Sequence, residues 1–238
     1  MATETPFGDV MAAKYPDYAW ESKEVQNDDG YIFTMYNVWS ETNVDDSLGP
    51  VLWMNGSSGD ASALINYGGA SEWSPPDAAP IQMAELGYNV WFWNIRGTSV
   101  SQQHTEYSVT SEEYWQWTVD DLAEDLVLFA STVRSYHPND NKGWYFGYSL
   151  GGMQAMIALA SQESEMAEYF ERVVILAPCT GVYEDYDTSA ISATDDSYPG
   201  YLYDSLASIG IYWVGGSTWE DDIENICANL DDDMCEWA

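Results

Sequence analysis

Short apolar runs and helix-like segments alternate through most of the chain. Aromatic and β-branched residues fill positions 31–39 directly after the turn Asp28-Asp29-Gly30, which predicts a strand leaving a hairpin. Later strands are predicted where short apolar runs occur, at 51–54, 89–93, 143–147 and 172–177. Such continuous runs are typical of strands that are buried on both faces of a sheet.

Helical patterns separate these runs. Residues 81–86 form a short predicted helix that Gly87 ends, and residues 149–161 form another. The clearest helix covers 118–135, where Leu122, Leu126 and Phe129 recur at helical spacing. Alternating strands and helices predict an α/β fold with a mostly parallel sheet and helices on both faces.

The pattern changes near the C-terminus. After about Tyr183 the chain is dominated by Asp, Ser, Gly, Tyr and Trp, without further strand or helix periodicity. We therefore predict an α/β core over residues 1–182 and a partial cap or lid over residues 183–238. A lid would present apolar surface to lipid, although a plain packed cap explains the same composition.

The sharpest chemical signal is the G-x-S-x-G sequence at residues 147–151. An apolar strand enters it and an Ala-rich helix leaves it, which is the context of a nucleophile elbow. We predict Ser149 as the nucleophile, raised from the sheet by a tight turn that the small residues Gly147 and Gly151 permit. The backbone N–H of Leu150, at the start of the helix, is the first predicted oxyanion donor.

A second oxyanion donor is expected in the loop after an earlier central strand. The sequence Asn-Gly-Ser-Ser-Gly at 55–59 follows the strand at 51–54. We predict that the backbone N–H of Ser57 supplies this donor and that Gly56 permits the close approach required.

Several blocks resemble the acid lipases, the gastric and lysosomal branch of the α/β-hydrolases. The similar segments are N-D-D-G-Y-I-F at 27–33, N-G-S at 55–57, G-Y-N-V-W-F-W-N-I-R-G at 87–97, Y-S at 107–108, Y-W-Q-W-T-V-D-D-L-A-E-D at 114–125, the elbow itself and L-A-P at 176–178. They follow the family order from about Asp9 to Val182, so the chain is similar to the N-terminal part of such a lipase. The resemblance implies an α/β-hydrolase fold and hydrolysis of acylglycerol or sterol esters.

Two departures from the family pattern stand out. Asn55 replaces the histidine of the family's H-G-L loop, and Tyr148-Ser149-Leu150 replaces its H-S-Q. Because the oxyanion donors are backbone groups, activity need not suffer, although substrate preference is expected to change. The second departure is that the family's catalytic acid and histidine follow later strands, beyond the end of this chain.

A serine nucleophile needs a base, and the chain contains two histidines. His104 follows the strand at 90–93 and therefore emerges at the same edge of the sheet as Ser149. It is the candidate base, although it occupies no family catalytic position. His137 precedes the strand that leads to Ser149, which places it at the opposite edge of the sheet, about 20 Å away, in a predicted surface loop. Asp185 or Asp187 could orient a histidine.

Three interpretations of this incomplete triad follow. The favoured one is a serine ester hydrolase, one piece of a longer or cleaved lipase, with the rest of the triad on a C-terminal fragment or second chain. The alternative is a catalytically inactive lipase-like fold that acts as a structural or binding subunit. The third is a small esterase with a rearranged base.

The net charge restricts the classes of partner that the chain can bind and the environment in which it works. The chain carries 40 acidic and 6 basic residues, a formal charge of −34, and a sequence pI of about 4.1. Such a surface repels nucleic acids and anionic lipid headgroups. Either an acidic compartment or high salt would relieve the self-repulsion. A secreted or lysosomal location is predicted, without a transmembrane segment and with no signal peptide in residues 1–17.

The remaining candidates are structural. Asn94 and Arg96 are predicted to brace the loops around the site. Cys227 and Cys235 are close enough in sequence to form a disulfide, or they are two unrelated thiols, while Cys179 stands alone. No metal site is predicted, because histidine and cysteine lack ligand spacing, and no cofactor is expected.

Overall fold

The computed structural model describes residues 6–56, 59–66, 77–137 and 139–178. Described residues up to Gln102 and from Thr118 onward belong to one unit, and Gln103–Trp117 belongs to a second. The predicted boundary at residue 182 and the predicted cap over 183–238 lie outside the described residues, so this division of the chain stays a prediction.

The strands are β1 (Ala19–Gln26), β2 (Tyr31–Trp39), β3 (Val51–Met54), β4 (Val90–Trp93), β5 (Gln103–His104), β6 (Gly143–Tyr148) and β7 (Phe170–Leu176). The helices are α1 (Pro6–Lys14), α2 (Ala61–Asn66), α3 (Ala79–Glu85), α4 (Val119–Tyr136), α5 (Leu150–Ser161) and α6 (Glu163–Tyr169), with a 3-10 helix at Glu112–Trp115. β5 and the 3-10 helix belong to the second unit.

The six strands of the first unit follow the order β1-β2-β4-β3-β6-β7. β2 is antiparallel to both β1 and β4, whereas β4, β3, β6 and β7 are parallel to one another. Met54 at the end of β3 lies opposite Trp93 of β4 and Gly147 of β6. The loops after these three strands therefore leave from the same edge of the sheet.

Helices cover both faces of this sheet. On one face, Phe7 and Met11 of α1 and Ile81 of α3 join a buried cluster with Trp53 and Phe92. On the other, Phe129 of α4 stacks on Trp93 with ring centres 4.9 Å apart. Every residue of β3 and β4 is consequently buried, as expected for central strands. The predicted α/β-hydrolase fold, with a mostly parallel sheet and helices on both faces, is confirmed.

The predicted elements agree with the observed ones to within a few residues. Predictions for 31–39 and 51–54 match β2 and β3, and the helix predicted at 118–135 is α4, shifted by one residue. α1 was not predicted because nine residues with only Phe7 and Met11 fully buried give little periodicity. Among the described helices, none is both long and apolar enough to cross a bilayer.

Candidate active site

Ser149 occupies the turn between β6 and α5. Its backbone has φ 51° and ψ −111°, a left-handed conformation that non-glycine residues rarely adopt. Its N–H donates to the carbonyl oxygen of Leu176 at 2.8 Å, which anchors the turn to β7. The residue is only partly buried, while Tyr148 beside it is exposed. A strained, accessible serine between strand and helix is the geometry of a nucleophile elbow.

Gly147 and Gly151 let the strand and the helix pass within contact of each other. A β-carbon added at Gly147 would lie 2.5 Å from the carbonyl oxygen of Gly151. One added at Gly151 would lie 2.5 Å from Met54 Cγ and 2.8 Å from the carbonyl oxygen of Asn55. No side chain fits either position without moving backbone, so the glycines of the motif are required by the geometry of the turn.

Two predicted oxyanion elements lie beside Ser149. Leu150 is the first residue of α5, so its N–H is among the helix N-terminal donors that have no acceptor within the helix. From the other side, Gly56 approaches so closely that an added β-carbon would lie 3.0 Å from Ser149 Cβ. The N–H of Gly151 donates to the carbonyl oxygen of Asn55 at 3.2 Å and ties the two loops together. Ser57, the predicted second donor, lies outside the described residues.

Asn94 and Asp60 support the loop after β3. Asn94 Oδ1 accepts a hydrogen bond from the N–H of Ala61 at 2.7 Å, and Asn94 Nδ2 donates to the carbonyl oxygen of Thr34 at 2.7 Å. The hydroxyl of Ser99 donates to Asp60 Oδ2 at 2.9 Å. These bonds fasten the loop after β3 to β2 and to the loop after β4.

Arg96 forms a buried ion pair with Asp125 of α4. Nε donates to Oδ2 at 2.8 Å and a terminal nitrogen donates to Oδ1 at 2.7 Å, while each side chain is 2% exposed. The guanidinium also lies 4.1 Å from the ring centre of Tyr31, and Asn27 Nδ2 donates to Asp125 Oδ1 at 3.2 Å. The pair thus joins the hairpin of β1 and β2, the loop after β4 and α4.

Burial dominates the electrostatics of this pair. It raises the pKa of Asp125 to about 6, although the hydrogen bonds from Arg96 act in the opposite direction. Burial is also the largest single influence on Arg96 and opposes its charge, but hydrogen bonding to Asp125 and attraction to the surrounding negative charges together outweigh it and raise the Arg96 pKa. Asp125 was not among the predicted site residues. The available signal was a carboxylate among the apolar positions of α4, next to the buried Leu122 and Leu126.

His104 belongs to the second unit, where its loop holds it. Its Nδ1 accepts hydrogen bonds from the N–H groups of Glu106 and Tyr107, both at 3.0 Å, and its ring stacks on that of Tyr107. In a serine triad the histidine instead donates its Nδ1–H to a carboxylate. The hydrogen bonds at Nδ1 therefore do not favour His104 as the base.

His137 is buried, so its predicted placement in a surface loop was wrong. It is 9% exposed, and it follows the last turn of α4, where its N–H donates to the carbonyl oxygen of Val133 at 3.1 Å. Asp185, Asp187, Cys179, Cys227 and Cys235 lie outside the described residues. Within the part of the chain that is described, no three metal-ligating side chains group together.

Comparison with known proteins gives relatives of the kind that the motifs suggested. The chain is 30% identical over 178 residues to triacylglycerol lipase 1 of Arabidopsis thaliana, covering 74% of this chain and 42% of the relative. It is 29% identical over 180 residues to gastric triacylglycerol lipase of Bos taurus, covering 71% and 41%. The chain thus spans about two fifths of the length of these curated relatives. The resemblance to acid lipases is confirmed.

Structural and family comparisons agree on the fold. The structure of Lip1 from Acinetobacter baumannii AYE superposes with a TM-score of 0.52 at 13% identity, covering 99% of this chain and 64% of that one. A family profile, Hydrolase_4, described as serine aminopeptidase, S33, matches residues 68–199, which is more than half of the chain. The chain therefore belongs to the Hydrolase_4 family of α/β-hydrolases.

Proposed function

We propose that this chain is the nucleophile-bearing part of a serine hydrolase that acts on lipid esters. The observation that carries the proposal is the left-handed backbone of Ser149 between β6 and α5, with Gly56 packed against it. A serine held in this way presents its hydroxyl at the edge of the sheet from which the loops after β3 and β4 also leave. The lipases among the curated relatives support lipid esters as the substrate class.

The proposed reaction has two halves. Ser149 Oγ attacks the ester carbonyl carbon and gives its proton to a base, while the N–H groups of Leu150 and Ser57 bind the oxyanion. The bond to the alcohol then breaks, and the alcohol leaves with that proton. Water attacks the acyl-serine in the second half, which releases the carboxylic acid and restores Ser149.

The base is proposed to lie outside this chain. In the family that the motifs resemble, the catalytic acid and histidine follow later strands, and the chain spans about two fifths of its curated relatives. A C-terminal fragment or a second chain would then complete the triad. Mass spectrometry of the native protein tests this: a co-purifying C-terminal polypeptide supports it, and a homogeneous chain that is nevertheless active excludes it.

A fluorophosphonate probe tests the nucleophile itself. Its phosphorus bonds to an activated serine oxygen with loss of fluoride, so labelling requires a working base. We expect Ser149 in the native protein to be labelled and the Ser149→Ala variant not to be. If the native protein stays unlabelled, the hydrolase proposal is wrong and the alternative, an inactive fold acting as a structural or binding subunit, takes its place.

We also propose that the protein is secreted or lysosomal and works in an acidic medium. The formal charge of −34 and the sequence pI of about 4.1 support this, because protonation near that pH removes much of the self-repulsion. Labelling rates at pH 5 in low salt and at pH 7 in molar salt distinguish an acidic environment from a high-salt one. Faster labelling only in molar salt would favour a halophilic setting instead.

A further inference from the structure

Tyr145 lies on β6, four residues before Ser149, and its side chain is fully buried. Its hydroxyl donates a hydrogen bond to the carbonyl oxygen of Gly151 at 2.8 Å. The ring packs edge-on against Phe170, with ring centres 5.6 Å apart. A tyrosine of the strand therefore reaches past the turn and holds the first turn of the helix that follows it.

Gly151 is held on both sides of its α-carbon. Its N–H donates to the carbonyl oxygen of Asn55, in the loop after β3, and its carbonyl oxygen accepts from Tyr145. Leu150, whose N–H is the first predicted oxyanion donor, directly precedes Gly151. The direction in which that N–H points is consequently set by a first turn of α5 that is fixed to the strand and to the neighbouring loop.

The phenol group suits this task over the whole working range of pH. Complete burial raises the pKa of Tyr145 well above its ordinary value, so the hydroxyl stays protonated and keeps its donor hydrogen. Because Gly147 has no side chain, the ring can pass beside it: an added β-carbon there would lie 2.7 Å from Tyr145 Cε1. The glycine of the motif thus also makes room for the tyrosine.

We infer that Tyr145 is a positioning residue for the oxyanion site: through Gly151 it fixes the N–H of Leu150 in the direction that the developing oxyanion requires. This inference rests on the proposed function. A bond to the oxyanion strengthens only as negative charge develops on the carbonyl oxygen. Loss of the tyrosine hydroxyl should therefore slow acylation and lower kcat, while KM changes little.

Tyr145→Phe removes the donor and keeps the ring. We expect the variant to be labelled by a fluorophosphonate about five- to tenfold more slowly than the native protein, the factor that one net hydrogen bond accounts for. The matched control is Tyr36→Phe, which removes another buried hydroxyl from β2, three strands away from β6. Its labelling rate should stay within about twofold of the native rate.

The readouts separate failure of the inference from failure of the proposed function. If the native protein is labelled and Tyr145→Phe is labelled equally fast, Tyr145 does not position the oxyanion site. If the native protein is not labelled, the proposed function is wrong, and amide hydrogen exchange across residues 149–152 decides the inference by itself. Exchange there should be several-fold faster in Tyr145→Phe than in the native protein, and equal exchange would overturn it.

A second variant guards against a purely structural effect. Tyr145→p-aminophenylalanine keeps an N–H donor at the end of the ring. We expect its labelling rate to return to within about threefold of the native rate, which loss of buried volume or of fold would not restore. A p-aminophenylalanine variant that is labelled as slowly as Tyr145→Phe would contradict the inference. If Tyr145→Phe does not fold, a p-aminophenylalanine variant that is not labelled either would contradict it as well.

Discussion

Gly56 lies against Ser149 so closely that a β-carbon added to Gly56 would be 3.0 Å from Ser149 Cβ and 3.5 Å from Ser149 Oγ. The same atom would lie 3.4 Å from a ring carbon of Tyr148. The loop after β3 and the elbow after β6 therefore meet at the nucleophile, and a side chain between them would force Ser149 or the loop to shift by a few tenths of an ångström. This contact places the predicted oxyanion loop beside the serine that it is proposed to serve.

Gly56→Ala should impair the nucleophile more than the fold. The added methyl group would crowd Ser149 Oγ and push the loop after β3 away from the elbow. We expect at least a tenfold drop in the rate of fluorophosphonate labelling, about 1.4 kcal/mol or more in activation free energy. The unfolding midpoint should fall by only a few degrees, because the loop and not the core must adjust. An unchanged labelling rate would show that Gly56 is not part of the site.

The left-handed backbone of Ser149 predicts that glycine is more stable than alanine at this position. A non-glycine residue at φ 51° and ψ −111° stores about 1–3 kcal/mol of strain. Glycine adopts this conformation at little steric cost, although it loses more conformational entropy on folding. We therefore expect Ser149→Gly to be more stable than Ser149→Ala by about 1 kcal/mol in urea denaturation.

Ser149→Gly and Ser149→Ala both lack the hydroxyl, and neither should be labelled. The difference in stability between them therefore reports on the backbone conformation at position 149 alone. Equal stability of the two would mean that the turn is relaxed. In that case the strained elbow, which carries the proposed function, would be lost.

Two neighbouring glycines should respond differently to the same substitution. At Gly147 an added β-carbon meets the backbone of Gly151 at 2.5 Å, which cannot move without opening the elbow. At Gly152 it meets Ile175 Cγ2 at 3.0 Å and backbone at 3.1 Å, which small shifts relieve. We expect Gly147→Ala to lower the free energy of unfolding by about 2–4 kcal/mol and Gly152→Ala by about 1 kcal/mol or less. The opposite ranking would contradict the close approach of strand and helix.

The elbow could be predicted from sequence because everything that defines it is local. An apolar strand, G-x-S-x-G and an Ala-rich helix are contiguous between residues 143 and 161. The parallel central sheet followed from the same reasoning, since short apolar runs indicate strands covered on both faces. The surroundings of the site depend on contacts between distant residues. Asn27 and Asp125, 98 positions apart, share a hydrogen bond that no local pattern contains.

Buried polar groups were the least predictable class. Asp125 lies on the apolar side of α4, where its neighbours predict a hydrophobic residue, and its hydrogen bonds with Arg96 and Asn27 explain its presence there. His137 shows the same limit in reverse. A histidine at a helix end was expected in a surface loop, but His137, directly after α4, is only 9% exposed. Burial is a property of the packed fold, which periodicity indicates only for apolar positions.

The pair of Arg96 and Asp125 predicts how stability depends on pH. Burial raises the pKa of Asp125 from an ordinary value of 3.8 to about 6 in the folded protein. A carboxyl group with a raised folded pKa binds its proton more tightly when folded. Its contribution to stability is therefore complete below about pH 4 and is lost as the pH rises through about 6. The full difference corresponds to about 3 kcal/mol.

Asp125→Asn provides the measurement, because asparagine is neutral at every pH and nearly isosteric. The difference in free energy of unfolding between the native protein and this variant should shift against the native protein as the pH rises from 4 to 7. Glu124→Gln, on the exposed face of the same helix, is the control, since a solvated carboxylate changes its surroundings little on folding. The corresponding difference for Glu124→Gln should stay nearly constant. A shift in favour of the native protein would mean that attraction to Arg96 outweighs burial, so that the ionised pair stabilises the fold at neutral pH.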